Sequence, residues 1–195
     1  MIPNILVTFL LVTGPGNFSS GETLAAIAQS KAQFAEAGIN LKVNRIIKIR
    51  DRYESLQSRQ ESNRKFWLYR DFIRRAGYGN KGRVHAILPP MYERTGIYWI
   101  AGRGEEGCNF NGFSSSNGWG LGPINGAGGR AAITAITHEI AHTLGAEHID
   151  SCGIAYPMGG CPNIMHSNAL AYAMVQKVSF LQRSIRTMKE CLKWG

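Results

Sequence analysis

"AAITAITHEIAHTLGAEHID", residues 131–150, is the stretch from which this 195-residue chain can be read. As far as Leu144 it is an apolar helical pattern, and Gly145 then permits the left-handed conformation that ends a helix and turns the chain. On a helix, residues i and i+4 lie one turn apart on the same side. His138 and His142 therefore present two imidazoles to one point. A straight continuation would rotate the following residues away from it, whereas a turn at Gly145 lets His148 swing back. Three of the five histidines thus fall within residues 138–148.

Three neutral imidazole nitrogens with one position left open make a catalytic rather than a closed structural zinc site. Glu139 follows His138 by about 100° around the helix. It is close enough to take a proton from a zinc-bound water attacking a carbonyl and to pass it to the departing amine. The implied reaction is peptide-bond hydrolysis without a covalent intermediate. The bland alternative is a chance grouping of packed or surface histidines. Requiring Gly145 and His148 at their offsets brings that chance to the order of one in a hundred thousand.

The rest of the chain bounds this reading. With 44% hydrophobic residues it can bury one core, and it reads as a single domain. Lys and Arg outnumber Asp and Glu by 22 to 13, a net charge of +9 that favours contact with acidic surfaces but says nothing of fold. No groove-reading motif for nucleic acid accompanies it. No apolar run reaches the length of a membrane span, and nothing implies an oligomer. Cys108, Cys152, Cys161 and Cys191 are spread out, and two disulfides are their simplest account, which implies an oxidising compartment and secretion. Four cysteines allow three pairings. The opening "MIPNILVTFLLVTGPG" lacks a basic residue before its apolar run, so it reads as a buried strand, Asn4 to Thr13, behind a starting Met rather than as a signal peptide. Asn17 begins a glycosylation sequon.

Along the chain, Ser19 and Glu22 have capping-box spacing, and a helix to Gly38 would place Leu24, Ile27, Ala28, Phe34 and Ala35 on one face. Residues 39–49 suit a strand. From Asp51 to about Ala76 the pattern is a basic helix with Phe66, Trp67, Leu68, Phe72 and Ile73 as its apolar side. "RVHAILPP" and "TGIYWIAGRG" read as strands. Within the second, "GRGEEG" matches a dinucleotide-binding glycine pattern, but no helix opens after its third glycine. Cys108 to Arg130 reads as loop with at most a short strand near Trp119. The chain closes on a long helical pattern through Ala171, Met174, Val178, Leu181, Ile185, Met188 and Leu192.

The HExxHxxGxxH run at His138, Glu139, His142, Gly145 and His148 resembles the metzincin family of zinc endopeptidases. The resemblance implies an α/β (α+β) catalytic domain. It would combine a mixed twisted sheet having an antiparallel edge strand, a zinc-site helix, and a C-terminal subdomain with a methionine turn and a long helix. The subdomains would be 1–147 and 148–195. Met165 in "CPNIMHS" would carry the turn, ahead of Met158 in "AYPMGG". His138, His142 and His148 would bind one zinc ion and Glu139 would be the general base. A structural calcium ion is compatible with this but has no motif behind it.

The closest look is to the adamalysin or reprolysin subgroup, which implies the pairings Cys108–Cys191 and Cys152–Cys161. Two departures stand out. Ile149 occupies the place of the usual Asp, and "IMHS" is similar to the astacin turn but has Ser167 where astacins carry tyrosine. The resemblance also implies that a peptide substrate adds as a strand along Thr95 to Ala101, including Gly96, Ile97, Tyr98, Trp99 and Ile100. His166 and Ser167 would begin the specificity pocket, with His166 outside the ligand set. The alternative is a catalytically weak or inactive zinc-stabilised basic module for acidic partners.

Overall fold

The computed structural model describes residues 2–13, 20–50, 59–78, 82–88, 91–92, 98–99, 102–117, 127–150, 161–167 and 177–194. The fold is mixed α/β, and its centre is β1 (Asn4–Thr13). This strand pairs in parallel with β2 (Asn40–Arg50) on one side and with β3 (Arg83–Leu88) on the other. Beyond β3 lies parallel β7 (Phe113–Asn117), and beyond that the antiparallel edge β6 (Gly102–Gly104), giving the order β2-β1-β3-β7-β6. A separate two-stranded ladder joins β4 (Met91–Tyr92) to β5 (Tyr98–Trp99).

The sheet is covered on both faces, which explains why β1 reads as a nearly unbroken apolar run. Successive side chains alternate between faces. Val7, Phe9 and Leu11 enter one core with α1 (Ser20–Glu36), α3 (Ala127–His142) and α4 (Gln182–Cys191), while Leu10 and Val12 enter a second core with α2 (Arg59–Arg75). Gly38, at φ 68°, closes α1 and delivers the chain into β2.

Several elements depart from expectation. In α1, Ile27 and Phe34 are buried but Leu24, Ala28 and Ala35 face outward, their places being taken by Thr23, Ala26, Ser30, Gln33 and Ala37. The polar members can be buried because they are paired. Ser30 and Thr137 share a 2.7 Å hydrogen bond, Thr137 donates to Gln33, and Gln33 donates to Thr134, which docks α1 on α3. In α2 the buried side is Phe66, Tyr69 and Ile73, with Trp67, Leu68 and Phe72 partly exposed. Asp51 to Ser58 and Ser19, the expected cap of α1, lie outside the described residues.

The "FSSSN" of β7 is a strand within the stretch that reads as loop, while Trp119 lies outside the described residues. All five residues are buried. Its serines carry no hydrophobic signal, yet Ser114 and Ser116 bond the two ring nitrogens of His85 at 2.8 and 2.9 Å. The final helix is shorter than its pattern, with Gln182–Cys191 as its described part. Ser179 is extended instead, accepting from Ile164 N–H at 3.0 Å and donating to the Pro162 carbonyl at 2.8 Å. Residues 168–176 lie outside the described ones.

Burial lowers the His85 pKa from 6.5 to about 3, so between those values the unfolded chain takes up the proton and the folded chain does not. Stability must then fall as pH drops through that window. Replacing His85 by Gln is expected to shrink the stability lost between pH 7 and pH 5 by about 2 kcal/mol, read from urea midpoints.

Candidate metal centre

The zinc-site helix expected from sequence is α3, and its end is built by hydrogen bonds characteristic of a Schellman motif. Ala146 N–H reaches the Ala141 carbonyl at 3.1 Å and Gly145 N–H the His142 carbonyl at 2.9 Å, with Gly145 at φ 81°. The turn returns His148 to the other two imidazoles. The Nε2 atoms of His138, His142 and His148 stand 3.0, 3.0 and 3.1 Å apart.

The tautomers follow from the partners. A carbonyl only accepts, so His138 Nδ1–H donates to Ile164 O and His142 Nδ1–H donates to Ala146 O, each at 2.7 Å. With Nδ1 carrying the proton, the Nε2 atoms of these two rings present lone pairs to each other. Such an arrangement is repulsive unless a cation accepts them all. A zinc ion with bonds of about 2.0–2.1 Å at tetrahedral angles holds its nitrogens about 3.3 Å apart, so the donor set fits. The second bond of each ring, to a backbone carbonyl, is the orienting contact that metal-binding imidazoles have. Burial, with the neighbouring His142 charge second, lowers the His138 pKa to about 3, and burial first lowers that of His142 as well. Both therefore stay neutral, as metal binding requires.

The expected methionine turn contributes through its backbone. Asn163 shapes it, its Oδ1 accepting from Met165 N–H at 3.1 Å and its Nδ2 donating to Ile149 O at 2.7 Å. Ile164 O holds His138, and Met165 O accepts from Ile149 N–H at 2.9 Å, beside the third histidine. Met165 is fully buried in the same core as Ile140, Ala141 and Leu144. Met158 lies outside the described residues. His166 is buried with Nδ1 3.7 Å from Asp150 Oδ1, while exposed Ser167 donates its N–H to that oxygen at 2.8 Å. The Ser167 N–H bond holds the Asp150 carboxyl below its usual range. His166 is not part of the three-histidine group.

Glu139 is buried beside the imidazoles, with Oε1 4.0 Å from His138 Nε2. Burial raises its pKa to about 8. Sequence reasoning missed what lies over it. Among the described residues the antiparallel edge of the main sheet is Gly102–Gly104, just after the expected Thr95–Ala101, and it rests directly on α3. Tyr98 and Trp99 belong to the separate ladder, and Thr95, Gly96, Ile97, Ile100 and Ala101 lie outside the described residues. A Cβ on Gly102 would come within 2.4–2.6 Å of the Glu139 side chain, and one on Gly104 within 2.5 Å of Glu139 O and 2.6 Å of His142 Cβ. Only glycine permits that approach. The signal was present as the glycines of "GRG", but its partner, α3, is remote in sequence.

Two substitutions follow. Gly102→Ala is expected to displace the Glu139 carboxylate while sparing the imidazoles. Gly104→Ala, pressing on His142, is expected to weaken metal affinity about 10- to 100-fold, as loss of a supporting contact does, measurable by zinc titration.

The disulfide Cys108–Cys191 ties the segment after β6 to α4 across 83 residues. Cys161 is also disulfide-bonded, and its expected partner Cys152 lies outside the described residues.

No protein-family model matches the sequence, and no curated protein matches it. Among solved structures the chain is similar to an archaemetzincin from Methanopyrus kandleri, with TM-score 0.58 and 15% identity over 97% of this chain and 96% of that one. It is similar also to metalloproteinase-II from Bacteroides fragilis, with TM-score 0.57 and 13% identity over 97% of this chain and 53% of that one. The chain therefore has the fold of these metallopeptidases, with a three-histidine group able to hold a metal ion.

Proposed function

We propose that the protein is a metzincin-like zinc endopeptidase. The observation that carries this reading is the convergence of three Nε2 atoms at 3.0–3.1 Å, two of them on rings whose Nδ1–H groups are committed to carbonyls. His138, His142 and His148 would hold the ion. When bound, zinc would lower the pKa of a water and polarise the carbonyl under attack.

The chain's own groups do the rest. Glu139, beside His138, takes the proton of the attacking water at a carboxylate oxygen and returns it to the leaving amine. Burial alone would keep that carboxyl protonated at neutral pH. A divalent cation held by the imidazoles would favour the ionised form that a general base requires. Among the described residues no strand pairs beyond Gly102–Gly104, so this edge would offer backbone hydrogen bonds to an extended peptide over Glu139, and the stretch from Thr95 to Ala101 would prolong that platform. Residues from His166 and Ser167 onward would form the main specificity pocket beside α3, and the division at 147/148 would separate the two walls of the cleft.

The finer affiliation is part of this proposal. The Cys108–Cys191 bond is the pairing that the reprolysin resemblance implies, while the likeness to an archaemetzincin and a bacterial metalloproteinase supports the broader metzincin-like reading and does not reach that subgroup. Disulfide bonding supports secretion. Among the described residues no helix is long and apolar enough to cross a membrane. The test is cleavage of an unfolded protein with and without a chelator. The reading expects loss of cleavage on chelation and recovery with zinc. Cleavage that persists without metal would reject it, and a zinc-loaded protein that cuts nothing would favour the basic binding module.

A further inference from the structure

The edge strand carries one long side chain, and its setting is unusual. Gly102 and Gly104 face α3, so Arg103 between them points to the opposite face of the sheet. There its guanidinium lies over the rings of Phe66 and Trp67, 5.3 and 5.0 Å from their centroids, and donates through Nη1 to Asn63 Oδ1 at 2.7 Å. Stacking and one hydrogen bond to an amide oxygen hold the group in place, and Arg103 is exposed, with no further hydrogen-bond partner among the described residues.

The neighbouring cations differ. Glu105 binds Arg70 and, at 3.2 Å, Arg74, and the same carboxylate accepts from Phe113 N–H at 2.8 Å and Asn109 Nδ2 at 3.3 Å. Glu105 is thereby committed to clamping the strand end on α2. Among the described residues no carboxylate pairs with Arg103. A fixed, uncompensated guanidinium is suited to a carboxylate, since little side-chain freedom remains to be lost on binding.

We propose that Arg103 selects peptides bearing an acidic side chain at the position paired across from it on the edge strand. The inference rests on the endopeptidase reading and names its substrate class. A residue directly opposite Arg103 in an added strand projects from the same face as Arg103, where opposite charges attract and like charges repel. The excess of basic residues would draw acidic peptides toward the cleft from a distance.

The experiment uses the zinc-loaded protein and a set of peptides sharing one scissile bond. A single Glu is walked along the sequence, with matching Gln and Lys sets. At one position Glu should exceed Gln about fivefold in kcat/KM, the upper range for an exposed charge pair, and Lys should fall below Gln. The ratio should shrink toward one in high salt. In Arg103→Gln the Glu/Gln ratio at that position should fall to one, and in Arg103→Glu the preference should turn to Lys. Because each readout is a ratio within one variant, a general loss of activity does not imitate it. Equal cleavage of the Glu and Gln peptides at every position, or a preference that survives in Arg103→Gln, overturns the inference and leaves the endopeptidase reading standing. A zinc-loaded wild type that cleaves no peptide overturns both.

Discussion

Glu139→Gln is expected to lower turnover of a peptide substrate about a hundred- to ten-thousandfold, the range attributed to a positioned general acid and base. Zinc should remain bound at one ion per chain, since Glu139 is outside the group of three convergent histidines. The amide has nearly the shape of the acid, so the contact of Gly102 with this side chain is kept. Only the ability to accept a proton is removed. Elemental analysis beside the cleavage assay separates the possibilities. Cleavage at the wild-type rate in a zinc-loaded Glu139→Gln variant would remove the carboxylate from the chemistry, and loss of zinc would show that it helps to hold the metal.

His142→Ala attacks the other half of the site. Two imidazoles remain, and an open three-ligand zinc site loses the geometry that defines it. Zinc content should fall to background and cleavage with it. A stability readout is independent of activity. A ligand at a hundred times its Kd stabilises the fold that binds it by about 2.7 kcal/mol, which for a chain of 195 residues raises the melting midpoint by about 5–10 °C. Added zinc should give this increment in the wild type and none in His142→Ala. An equal increment in both would place the stabilising metal elsewhere. His142 also holds a backbone carbonyl through Nδ1, so the metal-free variant should melt somewhat below the metal-free wild type.

The parts of the fold legible in the letters were those governed by local rules. Asn4–Thr13 reads as a buried strand because its apolar run is nearly unbroken, and Gly38 and Gly145 read as helix ends because both need the left-handed conformation. Faces were misread wherever a polar group is buried and satisfied by a distant partner. Ser30 and Gln33 of α1 are inside because Thr134 and Thr137 of α3 meet them, and Ser114 and Ser116 make an interior strand because His85 lies between them. No hydropathy pattern contains those partners. Ser179 illustrates the reverse case, a residue in a helical pattern drawn into extended pairing with Asn163, at the turn that leads into Met165.

Sequence alone determined the grouping of donors at the candidate site, because helix periodicity and one glycine suffice to bring His138, His142 and His148 toward a point with Glu139 beside it. Tertiary structure alone decided what holds and covers them. The Ile164 carbonyl that orients His138, the Asn163 side chain that shapes its turn, and the glycine edge that rests on Glu139 come from segments distant along the chain. Their contribution depends on ångström-scale approach between separate elements, which a one-dimensional pattern does not encode.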